Sequence, residues 1–154
     1  MKEKARRQII SENFNKPSHE VSLIKLQEIS QVLKIPFHTF YSSNTSCGDR
    51  VKLLIQKVPG RKEKDNAVKL ALFASEQQAC CLTVAATNIL CSWMEKKEIE
   101  LIKEEINQMK KMLQGQNYQL NNCPQMKVFA DLPVFPHRVE CVNLILCGIR
   151  KILD

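Results

Sequence analysis

Two apolar stretches with the composition of strands, separated by a charged turn, constrain the fold of this chain most strongly. Residues 51–58 read VKLLIQKV and residues 67–74 read AVKLALFA, and both are rich in residues that favour extended structure. The segment between them, PGRKEKDN, begins with Pro and Gly and continues with charges, which is typical of a turn. The pattern therefore predicts an antiparallel hairpin, and FHTFYSS at residues 37–43 predicts a further strand.

Helical patterns surround the hairpin. Residues 4–18 read as a helix that Pro17 ends, and residues 22–36 read as a short helical or loop segment that stops at Pro36. Residues 80–96 and 137–154 read as longer helices. Between these last two, Ile99, Ile102, Ile106, Met109 and Leu113 recur at spacings of three and four, and the Glu and Lys residues between them predict a solvated face. We expect an α+β fold: a small antiparallel sheet of about three strands with helices packed on one face.

Length and charge exclude several classes of protein. The 154 residues suit a single domain spanning 1–154. The sequence contains no apolar run of about 18 residues and no signal-type opening, so we expect a cytoplasmic protein that does not enter membranes. The net charge is +7, but the bases alternate with Glu and the aromatic content is 6%, which argues against nucleic-acid binding.

Three of the seven cysteines share a context suited to chemistry. Cys47 precedes a strand, with Asp49 beside it, Cys80 lies where a helix begins, and Cys141 is placed in the first turn of the last helix. Helix N-termini favour thiolates, which bind metals and attack sulfur. Three thiolates and one carboxylate would suit zinc or an iron–sulfur cluster. The spacing alone also allows a simple polar turn around Cys47.

The other cysteines lack this context. Cys91 and Cys147 lie within apolar helices, which predicts core packing for both, and Trp93 is expected in the core as well. Cys123 lies in an irregular segment rich in Asn and Pro, which predicts an exposed thiol.

Four segments resemble the IscU/NifU-type iron–sulfur cluster assembly proteins, in register along nearly the whole chain. NTSCGDRVKLL resembles the Asn-Pro-x-Cys-Gly-Asp motif, RRQIISENFNKPSH the opening helix, and ACCLTVAATNIL the second cysteine segment. MLQGQNY, followed after a long insert by FPHRVECVNLILCGIRKIL, is similar to the SufU branch. IscU-like scaffolds have a His before the last Cys, whereas this chain has Glu140, which again favours the SufU branch.

The resemblance implies roles for individual residues. Cys47, Asp49, Cys80 and Cys141 would hold Zn²⁺, as in SufU-like proteins, or a transient [2Fe–2S] cluster, as in IscU-like scaffolds. Cys141 would accept persulfide sulfur from a cysteine desulfurase of the SufS or IscS type, near Arg138. The product would pass to downstream cluster-assembly proteins. Whether the chain counts as a sulfurtransferase enzyme stays open.

The sequence departs from the family pattern around the second cysteine. SEQQAC replaces a shorter glycine-containing turn, and Cys81 stands next to Cys80 as an alternative ligand. Two other functions also stay open. One is a zinc-stabilised interaction module that transfers no sulfur, and the other is a basic nucleic-acid-binding adaptor.

Overall fold

The computed structural model describes residues 1–41, 50–62, 66–75 and 80–154. In this part of the chain it contains five α-helices, three strands and two short 3-10 helices. The α-helices are α1 (Glu3–Asn15), α2 (Leu23–Leu33), α3 (Cys81–Met94), α4 (Ile99–Leu113) and α5 (Pro136–Leu153). The strands are β1 (His38–Tyr41), β2 (Arg50–Val58) and β3 (Ala67–Ser75), and the 3-10 helices are Pro124–Phe129 and Leu132–Val134.

The three strands form an antiparallel sheet in the order β1-β2-β3. Val51 pairs with Phe40 of β1 and with Ser75 of β3, and the register shifts between Gln56 and Lys57. The predicted hairpin and the additional strand are therefore confirmed. The α+β class is confirmed as well.

Helices cover both faces of this sheet. Val51, Leu53 and Phe73 point into the main core, which the sheet shares with α3, α4 and α5. Leu54 and Ala74 point the other way and pack against Leu26 of α2. This second cluster goes beyond the predicted packing on one face. It forms because consecutive apolar residues in LLI of β2 place apolar side chains on both faces.

Irregular backbone covers the outer edge of β3. Phe73 donates its N–H to the carbonyl of His19 (3.1 Å) and accepts from the N–H of Val21 (2.9 Å). Further along, Val68 donates to the carbonyl of Lys97 (3.0 Å) and accepts from the N–H of Lys96 (2.7 Å). The segment before α2 and the segment after α3 therefore satisfy backbone hydrogen-bonding groups that an edge strand would otherwise leave without partners.

A buried amide connects α1 to the rest of the fold. Asn88 of α3 is 3% exposed, and its Oδ1 accepts from the N–H of His19 (2.9 Å) while its Nδ2 donates to Oδ1 of Asn13 (2.8 Å). Arg6 of α1 forms an ion pair with Asp131 in the insert before α5. These contacts hold α1 against α3 and against the segment that leads into α5.

A buried carboxylate organises that insert. Glu105 of α4 is 2% exposed, and its oxygens accept from the backbone N–H groups of Asn122 and Cys123 (2.9 Å each) and from Nδ2 of Asn122 (3.2 Å). The predicted solvated face of α4 is therefore wrong at this position. Glu105 lies between Ile102 and Met109 on the buried stripe, where the insert supplies the donors that a buried carboxylate needs.

Candidate metal and sulfur-transfer site

Two of the predicted cysteines belong to α3 and α5, which pack against each other. Cys80 is the N-cap of α3, with extended backbone, and its carbonyl accepts the first helical bond from the N–H of Val84 (3.1 Å). Cys141 lies on α5, and both belong to the part of the molecule where these two helices are in contact. An N-cap is a position where a negatively charged sulfur is favoured, because the first N–H groups of the helix point towards it.

Thr83 joins these two cysteines. Its hydroxyl lies 3.3 Å from Sγ of Cys80 and donates to the carbonyl oxygen of Cys141 at 3.4 Å. Thr83 is completely buried, and its own carbonyl accepts from the hydroxyl of Thr87 (2.6 Å). No sequence pattern singled out Thr83, because its contact with Cys141 depends on how α3 packs against α5.

Cys141 is buried and lies further along its helix than the sequence predicted. The helix begins at Pro136, so Cys141 is its sixth residue and belongs to the second turn. The prediction of a first-turn position is wrong because Pro136, with its fixed φ, is already a helical residue. The residue is only 2% exposed, and its Sγ donates to the carbonyl of His137, one turn earlier, at 3.6 Å.

Cys81 is exposed, whereas Cys80 is partly exposed and Cys141 is buried. Desolvation by partial burial is the main reason why the pKa of Cys81 is raised, and the neighbouring Cys80 raises it further. The guanidinium of Arg138 lies close enough to act in the opposite direction and lower it. Arg138 of α5 therefore acts electrostatically on Cys81 at the start of α3.

Arg138 is held at the surface by an aromatic ring. Its guanidinium lies 4.9 Å from the ring centroid of Phe135, a cation–π contact. Phe135 and Val134 are exposed apolar residues, at 49% and 73%. The predicted site residue Arg138 therefore lies beside a small apolar rim that borders the start of α5.

The other half of the predicted site lies outside the described residues, because Cys47 and Asp49 both fall within 42–49. Within the ranges that are described, no three His, Cys, Asp or Glu side chains lie close enough together to hold a metal ion. Cys81 therefore does not complete a three-ligand group with Cys80 and Cys141.

The remaining cysteines divide differently from the prediction. Cys91 is fully buried, as expected, and burial raises the pKa of its thiol. Cys147 is exposed rather than in the core, because the buried face of α5 runs through Ile145, Leu146 and Ile149. Cys123 is buried rather than exposed, and burial raises its pKa to about 12. Trp93 is partly buried against the main core.

The fold places the chain among proteins with an IscU-like α+β architecture. It matches the crystal structure of a SUF-system protein, FiSufU from Fervidobacterium islandicum AW-1, assigned as an iron–sulfur cluster assembly scaffold. The TM-score is 0.73 at 19% identity, covering 95% of this chain and 94% of that one. The N-terminal part of a nitrogen-fixing NifU-like protein from Brucella abortus matches with a TM-score of 0.67 at 15% identity, covering 94% and 91%.

Sequence comparison points the same way. The chain is 28% identical over 101 residues to the iron–sulfur cluster assembly scaffold protein IscU of Thermotoga maritima. That match covers 66% of this chain and 66% of the relative, just under two thirds of the relative's length. No protein-family model matches the chain. The resemblance to IscU/NifU-type proteins, with SufU-like structures among the neighbours in fold, is confirmed.

None of the helices that the structure describes is long and apolar enough to cross a membrane.

Proposed function

We propose that this chain is an iron–sulfur cluster assembly protein that accepts sulfur from a cysteine desulfurase. The observation that carries the proposal is that the Thr83 hydroxyl contacts both the Cys80 sulfur and the backbone carbonyl of Cys141, two residues far apart in the sequence. An IscU scaffold among the sequence relatives supports the same function. The structural neighbours match over nearly the whole chain, which supports one domain spanning 1–154.

The proposed metal ligands are Cys47, Asp49, Cys80 and Cys141. The donor set fits zinc, which takes thiolate sulfur and carboxylate oxygen in a tetrahedral arrangement. The described half of the site would supply Cys80 and Cys141, and the segment with Cys47 and Asp49 would supply the rest. Zinc bound there would keep the thiols deprotonated and protect them from oxidation. A [2Fe–2S] cluster built on the same cysteines would be cargo that downstream assembly proteins receive.

Sulfur acceptance would proceed by thiol exchange at Cys141. Its sulfur attacks the outer sulfur of the desulfurase persulfide, the S–S bond of the donor breaks, and the donor cysteine leaves as a thiolate. The exposed guanidinium of Arg138, three residues earlier on α5, would stabilise the negative charge that passes between the proteins. Reduced thiols are required throughout, which suits a cytoplasmic location.

Metal and acid-labile sulfide analysis of protein purified without oxygen tests the site. We expect about one zinc per chain in the wild type, lost in Cys47→Ala and Cys80→Ala. It should be retained in Cys147→Ala, which removes an exposed thiol elsewhere on α5. Iron and sulfide in equal amounts would assign a cluster to the site instead. Full metal content in Cys80→Ala would contradict the ligand set.

A desulfurase assay separates sulfur transfer from a purely structural metal. The wild type should stimulate turnover of a cysteine desulfurase, and Cys141→Ser should abolish the stimulation. Zinc binding with no stimulation would instead favour an interaction module. Salt-dependent binding to nucleic acid without any metal requirement would favour an adaptor.

A further inference from the structure

Thr83 is a buried residue through which the start of α3 contacts α5. Its side chain is completely buried. Its hydroxyl lies 3.3 Å from Sγ of Cys80 and donates to the carbonyl oxygen of Cys141 at 3.4 Å. Cys80 and Cys141 are the two proposed metal ligands that lie within the described residues. One hydroxyl group therefore contacts both of these residues.

Local structure restricts the direction of this hydroxyl. Cys80 is the N-cap of α3 and Thr83 is the third residue of the helix, a spacing at which side chains at a helix start contact each other. A β-branched side chain has few χ1 rotamers in a helix, and close packing at a buried position restricts it further. The carbonyl of Thr83 is held as well, because it accepts from the hydroxyl of Thr87 at 2.6 Å.

Thr87 provides a comparison within the same helix. It is also completely buried, and its hydroxyl donates to the carbonyl of the residue four positions earlier. Such a bond along the helix is an ordinary way for a threonine to satisfy its hydroxyl. The hydroxyl of Thr83 reaches a cysteine sulfur and a second helix. This difference between two buried threonines of α3 points to a role for Thr83 beyond packing.

The contact with sulfur has a defined polarity when Cys80 binds a metal. A cysteine ligates metals as the thiolate, which has no hydrogen to donate. The hydroxyl of Thr83 is then the donor and the sulfur is the acceptor. A hydrogen bond to a charged acceptor is about twice as strong as one between neutral groups. Bonds of this kind orient ligand side chains and so raise the affinity of a site for its metal.

We propose that Thr83 is a positioning residue of the metal site, which orients the Cys80 sulfur through its hydroxyl and ties it to the turn of α5 that carries Cys141. The inference rests on the proposed function, because it requires Cys80 to be a ligand. It adds to the site a residue that does not bind the metal itself but sets how tightly the metal is held.

The zinc affinity of matched variants tests this role. Thr83→Val and Thr83→Ala remove the hydroxyl, Thr83→Ser keeps it, and Thr87→Val removes another buried hydroxyl from the same helix. Competition with a chromophoric zinc chelator measures the affinity of each purified chain. Loss of a residue that orients a ligand lowers metal affinity by roughly 10–100-fold, so we expect at least about tenfold weaker binding for Thr83→Val and Thr83→Ala. Thr83→Ser and Thr87→Val should bind zinc as the wild type does.

Two further measurements distinguish positioning from packing. Added zinc should raise the Tm of Thr87→Val as much as that of the wild type and should raise the Tm of Thr83→Val less, because weaker binding stabilises the folded state less. With Co²⁺ in place of zinc, the sulfur-to-metal charge-transfer absorption should shift in Thr83→Val, because the sulfur loses a hydrogen bond. The absorption should return to its wild-type position in Thr83→Ser.

The outcomes separate this role from the function beneath it. Wild-type zinc affinity in both Thr83→Val and Thr83→Ala would overturn the positioning role and leave the proposed function intact. Equal losses of affinity in Thr83→Val and Thr87→Val would also overturn it, because the packing of α3 alone would then explain the loss. A wild-type chain that binds neither zinc nor Co²⁺ would overturn the positioning role together with the proposed ligand set.

Discussion

Removing the Glu105 carboxylate should destabilise the fold more than an ordinary surface substitution on the same helix. Two backbone N–H groups, of Asn122 and Cys123, donate to Glu105 at 2.9 Å each. The residue is 2% exposed, so Glu105→Ala leaves these donors without the acceptor they have in the wild type. Hydrogen bonds to a carboxylate contribute about 1.5–3 kcal/mol each, and partial access of water lowers the sum. We expect Glu105→Ala to reduce the free energy of unfolding by about 3–5 kcal/mol.

A matched control lies one turn further along α4. Gln108 accepts from the backbone N–H of Gln119 at 3.0 Å, but that bond is exposed to solvent. Water can replace the lost acceptor there, so Gln108→Ala should cost less than about 1 kcal/mol. Urea denaturation followed by far-UV circular dichroism measures both variants. The single tryptophan, Trp93, lines a cavity with Cys123, so its fluorescence reports on the insert directly.

The reasoning would be refuted if Glu105→Ala and Gln108→Ala lowered the free energy of unfolding by equal amounts. Glu105→Gln provides a graded test. Its amide keeps one acceptor oxygen, but an NH₂ group, which donates, replaces the other oxygen and faces the N–H groups of the insert. We expect it to fall between the wild type and Glu105→Ala.

Three further predictions concern other parts of the fold. A methyl group added at Gly148 would lie 2.9–3.0 Å from the Phe40 ring. Gly148→Ala should therefore lower the free energy of unfolding by about 1–2 kcal/mol despite its better helix propensity. In thermal melts, Phe40→Leu should restore the lost stability of Gly148→Ala, and a raised Tm for Gly148→Ala alone would contradict the reasoning. Asn88→Ala removes the amide that holds α1 and should lower the free energy of unfolding by about 1–3 kcal/mol. Relative to the wild type, hydrogen exchange should become faster in residues 3–15 and stay the same in α4; unchanged exchange in residues 3–15 would count against this. With its pKa raised to about 12, Cys123 should stay a thiol up to pH 10 and resist iodoacetamide in the native protein. The exposed Cys147 should react. Mass spectrometry of the alkylated peptides distinguishes the two residues, and equal alkylation rates would exclude a buried Cys123.

Local patterns in the sequence predicted most of the secondary structure. The hairpin needed only two β-rich stretches and a Pro-Gly turn, and it appears as Arg50–Val58 and Ala67–Ser75. The apolar stripe of α4 likewise predicts a helix that the structure places at Ile99–Leu113. These features depend on neighbouring residues, and periodicity records them directly.

The misplaced residues are those whose environment comes from distant segments. Cys123 is buried because Glu105, on another element, draws its backbone N–H inward, and no local pattern contains that bond. Cys147 belongs to an apolar helix but lies just outside the stripe of Ile145 and Ile149. A one-residue step turns a helix by about 100°, so an apolar composition alone does not assign a face.

The site itself was predictable only in part. Motif resemblance selected Cys80 and Cys141, and the structure brings their helices together. The link through Thr83 depends on how α3 meets α5, a tertiary contact that neither motif encodes. The contrast between the buried Cys141 and the exposed Cys81 likewise depends on how the helices pack.

The covered edge of β3 limits how copies of this protein could associate. With Phe73 bonded to the His19–Val21 backbone and Val68 bonded to that of Lys96 and Lys97, these residues of β3 cannot add a strand from another chain. Among the strands that the structure describes, the other edge from which an intermolecular sheet could grow is β1, which is described over the four residues His38–Tyr41. Short edge strands template such growth poorly. In the described part of the sheet, edge-to-edge aggregation is therefore opposed on the β3 side by the backbone segments bonded to it and on the β1 side by the shortness of the strand.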